Sequence, residues 1–103
     1  MKSIIHNVKG KPIKLHPVSI FASYINRDKQ TIKRWEKEGI LPKAPFSVPH
    51  GDKEVRLYPD YFLRAVKSVV EELKLRRGLV FDKALAKSRI QRAIREEKEK
   101  AKL

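Results

Sequence analysis

Gln30, Lys33, Arg34 and Lys37 are the residues whose types and spacing promise chemistry, and Lys29 adjoins them. If residues 28–38 form a helix, about 100° per residue gathers the four within about one quarter of its circumference. Ile32 and Trp35 then point the opposite way, toward a core. Cations neutralise phosphates, and a carboxamide such as Gln30 pairs bidentately with adenine. The chemistry on offer is recognition of a polyanion that also carries hydrogen-bonding edges. A solvated lysine-rich helix face explains the same pattern more plainly, so the surrounding elements must decide.

Catalysis and metal binding find less support. His6, His16 and His50 are scattered, with no HxxxH or HExxH spacing, so no zinc set is expected. The acids cluster only as Glu71-Glu72 and Glu96-Glu97-Glu99, which solvation explains better than acid–base work. No Ser/His/Asp arrangement is recognisable, and the four glycines are isolated rather than gathered in a phosphate loop. Without cysteine, thiol catalysis and Cys-based zinc fingers drop out. The chain is expected not to be an enzyme and to need no cofactor or metal.

Charge supports the polyanion. Of 103 residues, 25 are Lys or Arg and 12 are Asp or Glu, a formal net charge of +13. Both halves of the chain are basic, so this is not a neutral domain with one charged tail. Such a field raises encounter rates with nucleic acid, although an anionic membrane or an acidic protein would also satisfy it. No apolar run approaches the roughly 20 residues of a membrane span, and the Met1 start lacks the apolar stretch of a signal peptide. A small cytoplasmic protein with an ordinary apolar core is expected, with no membrane partner.

The elements follow from punctuation and periodicity. Residues 1–17 hold Gly10, Pro12 and Pro17; Ile4, Ile5 and Val8 can face Ile13 and Leu15 as a short strand pair, but Pro12 makes that an edge feature, so an extended basic arm is expected. Ser19 reads as the N-cap of a short helix carrying Phe21, Ala22 and Ile25. Asn26 tolerates a left-handed helix end, Asp28 caps the second helix, and Gly39 stops it. A turn centred on His50–Asp52 predicts a small hairpin. Phe62, Val66, Val69, Val70 and Leu73 form the cleanest helical stripe, predicted to end around Arg76-Arg77 at Gly78. From Asp82 to about Lys100 a narrow stripe of Ala86, Ile90, Ala93 and Ile94 predicts a marginal helix, frayed unless it finds a partner surface. No internal repeat is evident.

The run Thr31-Ile32-Lys33-Arg34-Trp35-Glu36-Lys37-Glu38-Gly39-Ile40-Leu41-Pro42 resembles the recognition-helix signature of the MerR-like and excisionase-like winged helix-turn-helix proteins, Thr-apolar-Arg-x-aromatic-Glu-x-x-Gly-apolar-apolar-Pro. Ala22 falls where that family places a small residue, and Arg56-Leu57-Tyr58 before a helix resembles its wing-to-helix signature. The likeness covers residues 18 to about 75. Lys33 stands where the family usually has Arg, and Arg27 where it usually has an apolar turn residue. The resemblance implies that Lys33 and Arg34 contact phosphate or base edges and that Arg56 and Tyr58 grip the DNA backbone, with Lys53 beside them on the wing. Trp35 is assigned to the core.

These readings give a mostly α fold with a small β-hairpin wing, a winged helix-turn-helix plus a C-terminal helix. Its expected parts are a basic arm (1–17), a DNA-binding domain (18–78) and a basic C-terminal helix or partly ordered tail (79–103). The expected partner is double-stranded DNA, met by a recognition helix (about 28–38) in the major groove and a wing (about 44–58) on the backbone. Transcription regulation or excisionase-like recombination is the first expectation. A small-terminase-like packaging or architectural role is the second, and an adaptor for an acidic protein surface the third. Residues 79–103 fit either self-association on DNA or a basic arm. No small-molecule effector is expected.

Overall fold

Two tight turns, each holding a glycine at positive φ (Gly10 at +80°, Gly51 at +64°), fold the chain into two hairpins. The computed structural model describes residues 3–8, 10–73 and 82–101. The first hairpin joins β1 (Ile4–Val8) to β2 (Lys11–Pro17), and the second joins β3 (Phe46–His50) to β4 (Lys53–Pro59). Between them lie α1 (Val18–Tyr24) and α2 (Lys29–Lys37); α3 (Asp60–Glu72) and α4 (Lys83–Lys100) follow. The hairpins unite into one antiparallel sheet, ordered β1-β2-β4-β3.

This overturns the mostly α reading. The protein is α+β, with a curled four-stranded sheet and four helices among the described residues. Ile4–Val8 and Lys11–Pro17 are not an arm but two of the four strands of the sheet. Pro12 does not prevent this, because β4 pairs with β2 only at Leu15, His16 and Pro17. Pro12 lies beyond that stretch, so its missing N–H breaks no ladder on the β4 side. The curl shows at the edges: His6 of β1 meets Phe46 of β3 edge-on, ring centroids 5.5 Å apart. Strands about 4.8 Å apart would hold the outer two much farther apart in a flat sheet.

The sheet also discloses a repeat. β2 and β4 share one burial pattern, exposed at the turn and buried over the last three residues. Each ends in a proline that leads straight into a helix, Pro17 into α1 and Pro59 into α3. Their pairing is symmetric about His16 and Tyr58, with Leu15 opposite Pro59 and Pro17 opposite Leu57. The chain is thus hairpin–proline–helix–helix written twice about a pseudo-two-fold. The expectation of no internal repeat is thereby corrected: KPIKLHP of β2 and KEVRLYP of β4 keep Lys, Leu and Pro at equivalent positions and set Ile13 against Val55, Lys14 against Arg56 and His16 against Tyr58, a match of seven residues that the strand pairing makes visible.

Helix ends explain how α1 and α2 are set. Pro17, with φ −71° and ψ 167°, is the N-cap of α1, so Ser19 is not. Asn26, at φ 56°, ends α1, where Arg27 N–H donates to the Ala22 carbonyl at 2.8 Å. Asp28 caps α2 by accepting from Thr31 N–H at 2.8 Å. Gly39 at φ +80° closes α2 in a Schellman motif: its own N–H reaches the Glu36 carbonyl at 3.2 Å, and Ile40 N–H reaches Trp35 at 2.9 Å.

The core lies where these helices meet the sheet. Phe21, Ile32, Trp35, Tyr58, Phe62, Val66 and Val69 share it, and Tyr58 packs between Phe21 (4.8 Å) and Phe62 (5.3 Å). α4 belongs to the same core: Ala86 and Ile90 are 0% exposed, with Ala93 and Ile94 packed beside them. The expected tail therefore has its partner surface within the chain, in α3. Arg64–Glu97 (3.5 Å) and Lys83–Glu38 (3.2 Å) fasten its two ends. The expected helix end at Arg76-Arg77-Gly78 lies outside the described residues.

Candidate nucleic-acid interface

One helix and one hairpin define an open groove. Lys29, Lys33 and Lys37, one turn apart along α2, form one wall; Glu54, Val55 and Arg56 of β4 form the other; the start of α1 closes its end, and Lys43 adds a fifth cation. The spacing that sets Ile32 and Trp35 into the core necessarily turns this lysine ridge outward. Gln30 and Arg34 are also exposed but lie outside the groove lining, on the outer face of α2. Lys53 is exposed near the hairpin tip, beside the turn. Seven of the eight residues singled out from sequence are thus solvent-facing.

The eighth is not. Tyr58 is 1% exposed, its ring is in the aromatic core, and its hydroxyl donates to Glu36 Oε2 at 3.1 Å. Its expected grip on the DNA backbone is replaced by a packing role, because the corner from β4 into α3 needs a large aromatic. Burial, followed by the nearby Glu36 carboxylate, pushes its hydroxyl far above the ordinary phenol range, so it stays a proton donor. Burial also raises the Tyr61 hydroxyl.

Glu36 is the functional residue that sequence reasoning missed. Its side chain is 8% exposed, and it receives both Tyr58 and the Arg56 guanidinium. One carboxylate on α2 therefore ties the helix to the hairpin strand and fixes Arg56 in the groove. Arg56 remains 57% exposed, with further N–H donors available to a second acceptor. Its place on α2 was legible in the sequence, but only the fold gives it two partners. Lys43, in the loop after Pro42, was missed because nothing local places it against α2.

Elsewhere the structure makes one arrangement that spacing hid. Ser3 Oγ lies 2.7 Å from His16 Nδ1, and His16 Nε2 contacts Asp60 Oδ1. The order is hydroxyl, imidazole, carboxylate, but the groove between α2 and β4 is lined by neither Ser3 nor His16. The contacts bind the entry of β1 and the C-terminal end of β2 to the first turn of α3. Among the described residues, no three His, Asp or Glu side chains gather to hold a metal ion. No helix among them is long and apolar enough to cross a membrane. Comparison with family models, curated proteins and solved structures finds no match to this chain.

Proposed function

We propose that this protein binds double-stranded DNA, acting in transcription regulation or site-specific recombination in the cytoplasm. The observation that carries the reading is the open basic groove between α2 and β4, in which Lys29, Lys33, Lys37, Lys43 and Arg56 outnumber Glu36 and Glu54. One phosphate strand lies in that groove, between the lysine ridge and Arg56. The outer face of α2 then enters the major groove, where Gln30 and Arg34 meet base edges. Lys53 follows the backbone from the hairpin. Glu36 holds helix and hairpin at a fixed separation, so both contacts form together without a prior ordering cost.

The packaging alternative loses its main support. Its assembly surface was the stripe Ala86, Ile90, Ala93 and Ile94, and α3 already covers the first two. The adaptor reading is separated by competition: unrelated duplex displaces a groove-bound DNA but not an acidic protein. The deciding experiment is a gel shift with wild-type protein and the Lys33→Ala/Arg34→Ala double variant. A variant with normal melting and undiminished duplex affinity refutes the assignment of α2.

A further inference from the structure

The pseudo-two-fold raises a question about α4. It follows α3 as α2 follows α1, and its end at Ala101 stands by Pro59, Asp60 and Tyr61 as α2 stands by Pro17, Val18 and Ser19. The counterpart groove, lined also by Lys11, Pro12, Ile13 and Arg64, is the smaller one. Lys11 Nζ donates to the Ala101 carbonyl there at 3.4 Å, and Arg64 is paired with Glu97. Its cations are engaged, so the second half presents its charge elsewhere.

That place is one flank of α4. With Ala86, Ile90, Ala93 and Ile94 turned to the core, about 100° per residue gathers Lys87, Gln91, Arg95 and Lys98 within about one quarter of the circumference, on the side next to Ile94, and all four are exposed. No carboxylate among the described residues holds any of these three cations, whereas the flanking Arg89, Arg92 and Lys100 are paired with Glu72, Glu96 and Glu97. Glu99 alone borders the face. Three free cations and one carboxamide are also the content of the α2 face, in Gln30, Lys33, Arg34 and Lys37. The two helices do not pack on each other, and each turns its apolar side to the same core. Their outward faces are separate surfaces.

We infer that the α4 face of Lys87, Gln91, Arg95 and Lys98 is a second site for nucleic-acid phosphates, so that one chain holds two duplexes at once. The inference rests on the DNA reading of α2. Contact at α4 is sequence-independent, because lysine and arginine meet phosphate there without a hairpin to set a register.

The test uses the full chain and a short mixed-sequence duplex in two forms, one biotinylated and one fluorescent. Duplex per chain is counted by sedimentation at duplex excess. Wild type is expected to carry two duplexes per chain and to capture the fluorescent duplex on the biotinylated one. Lys87→Gln/Arg95→Gln/Lys98→Gln is expected to weaken second-duplex binding at least about tenfold and first-duplex binding less than about threefold. Arg89→Gln/Arg92→Gln/Lys100→Gln, with the same change in net charge, is expected to retain both. One duplex per chain, capture that requires two chains, or equal loss in both triple variants overturns the second site while leaving α2 standing. Failure of wild type to bind any duplex removes both readings.

Discussion

Residues 4–37 and residues 46–100 repeat one plan, hairpin, proline, helix, helix, yet the two halves differ in what their helices bury. In the first, α1 and α2 are short and contribute Phe21, Ala22, Ile32 and Trp35 to the core. In the second, α3 buries seven of its thirteen residues, and α4 lies along it through Ala86 and Ile90. The central pair of the sheet divides the work likewise. His16 ties to Asp60 at the start of α3, and Tyr58 ties to Glu36 on α2. The second half is the foundation, and the first carries a helix free to present a polar face.

Removing the foundation is the strongest way to break this contrast. Ile90→Ala opens a void at a fully buried position and should cost about 2–5 kcal/mol in denaturant unfolding. Ile20→Ala on the exposed side of α1 should change stability by less than about 0.5 kcal/mol. Comparable losses at the two sites would erase the division between foundation and presenting half.

The next largest effect is on binding alone. Lys33→Ala/Arg34→Ala should weaken duplex binding by about 1–3 kcal/mol if either residue reads a base, with melting unchanged. Gln30→Ala should alter which sites are preferred more than overall affinity. Glu36→Gln should cost about 1 kcal/mol of stability, most of it at Tyr58, because the exposed Arg56 pair is screened by solvent.

Smaller effects sharpen the comparison of equivalent positions. Arg56→Ala should lower the slope of log K against log salt by about one unit, whereas Lys14→Ala, its counterpart outside the groove, should leave the slope unchanged. An equal drop for both would mean that position in the repeat, not the groove, sets the contact. Tyr58 gives a pH signature. Its raised folded pKa favours the protonated phenol, so its contribution is full below the unfolded value of about 10 and is lost as pH rises above it. Tyr58→Phe should flatten that alkaline loss, as read from unfolding midpoints between neutral and alkaline buffers.

What sequence made legible is what local physics controls. The Asp28 cap, the Asn26 and Gly39 helix ends, the buried Ile32 and Trp35, and the α3 stripe all depend on neighbours within about one helical turn, and all appear in the structure. The polar face of α2 was legible for the same reason, because burying one side of a helix fixes the other.

The rest required contacts distant in the chain. Whether Ile4–Val8 and Lys11–Pro17 formed an arm or half of a sheet turned on Leu15, His16 and Pro17 finding β4, some forty residues away along the sequence. Whether α4 was a tail or a brace turned on the surface of α3. Whether Tyr58 faced DNA or the core turned on Phe21, Phe62 and Glu36, which three separate helices supply. Residue types settle which side chains want burial and which want water. Only the tertiary structure chooses their partners, because strand pairing and helix docking reward surfaces that no stretch of sequence contains alone.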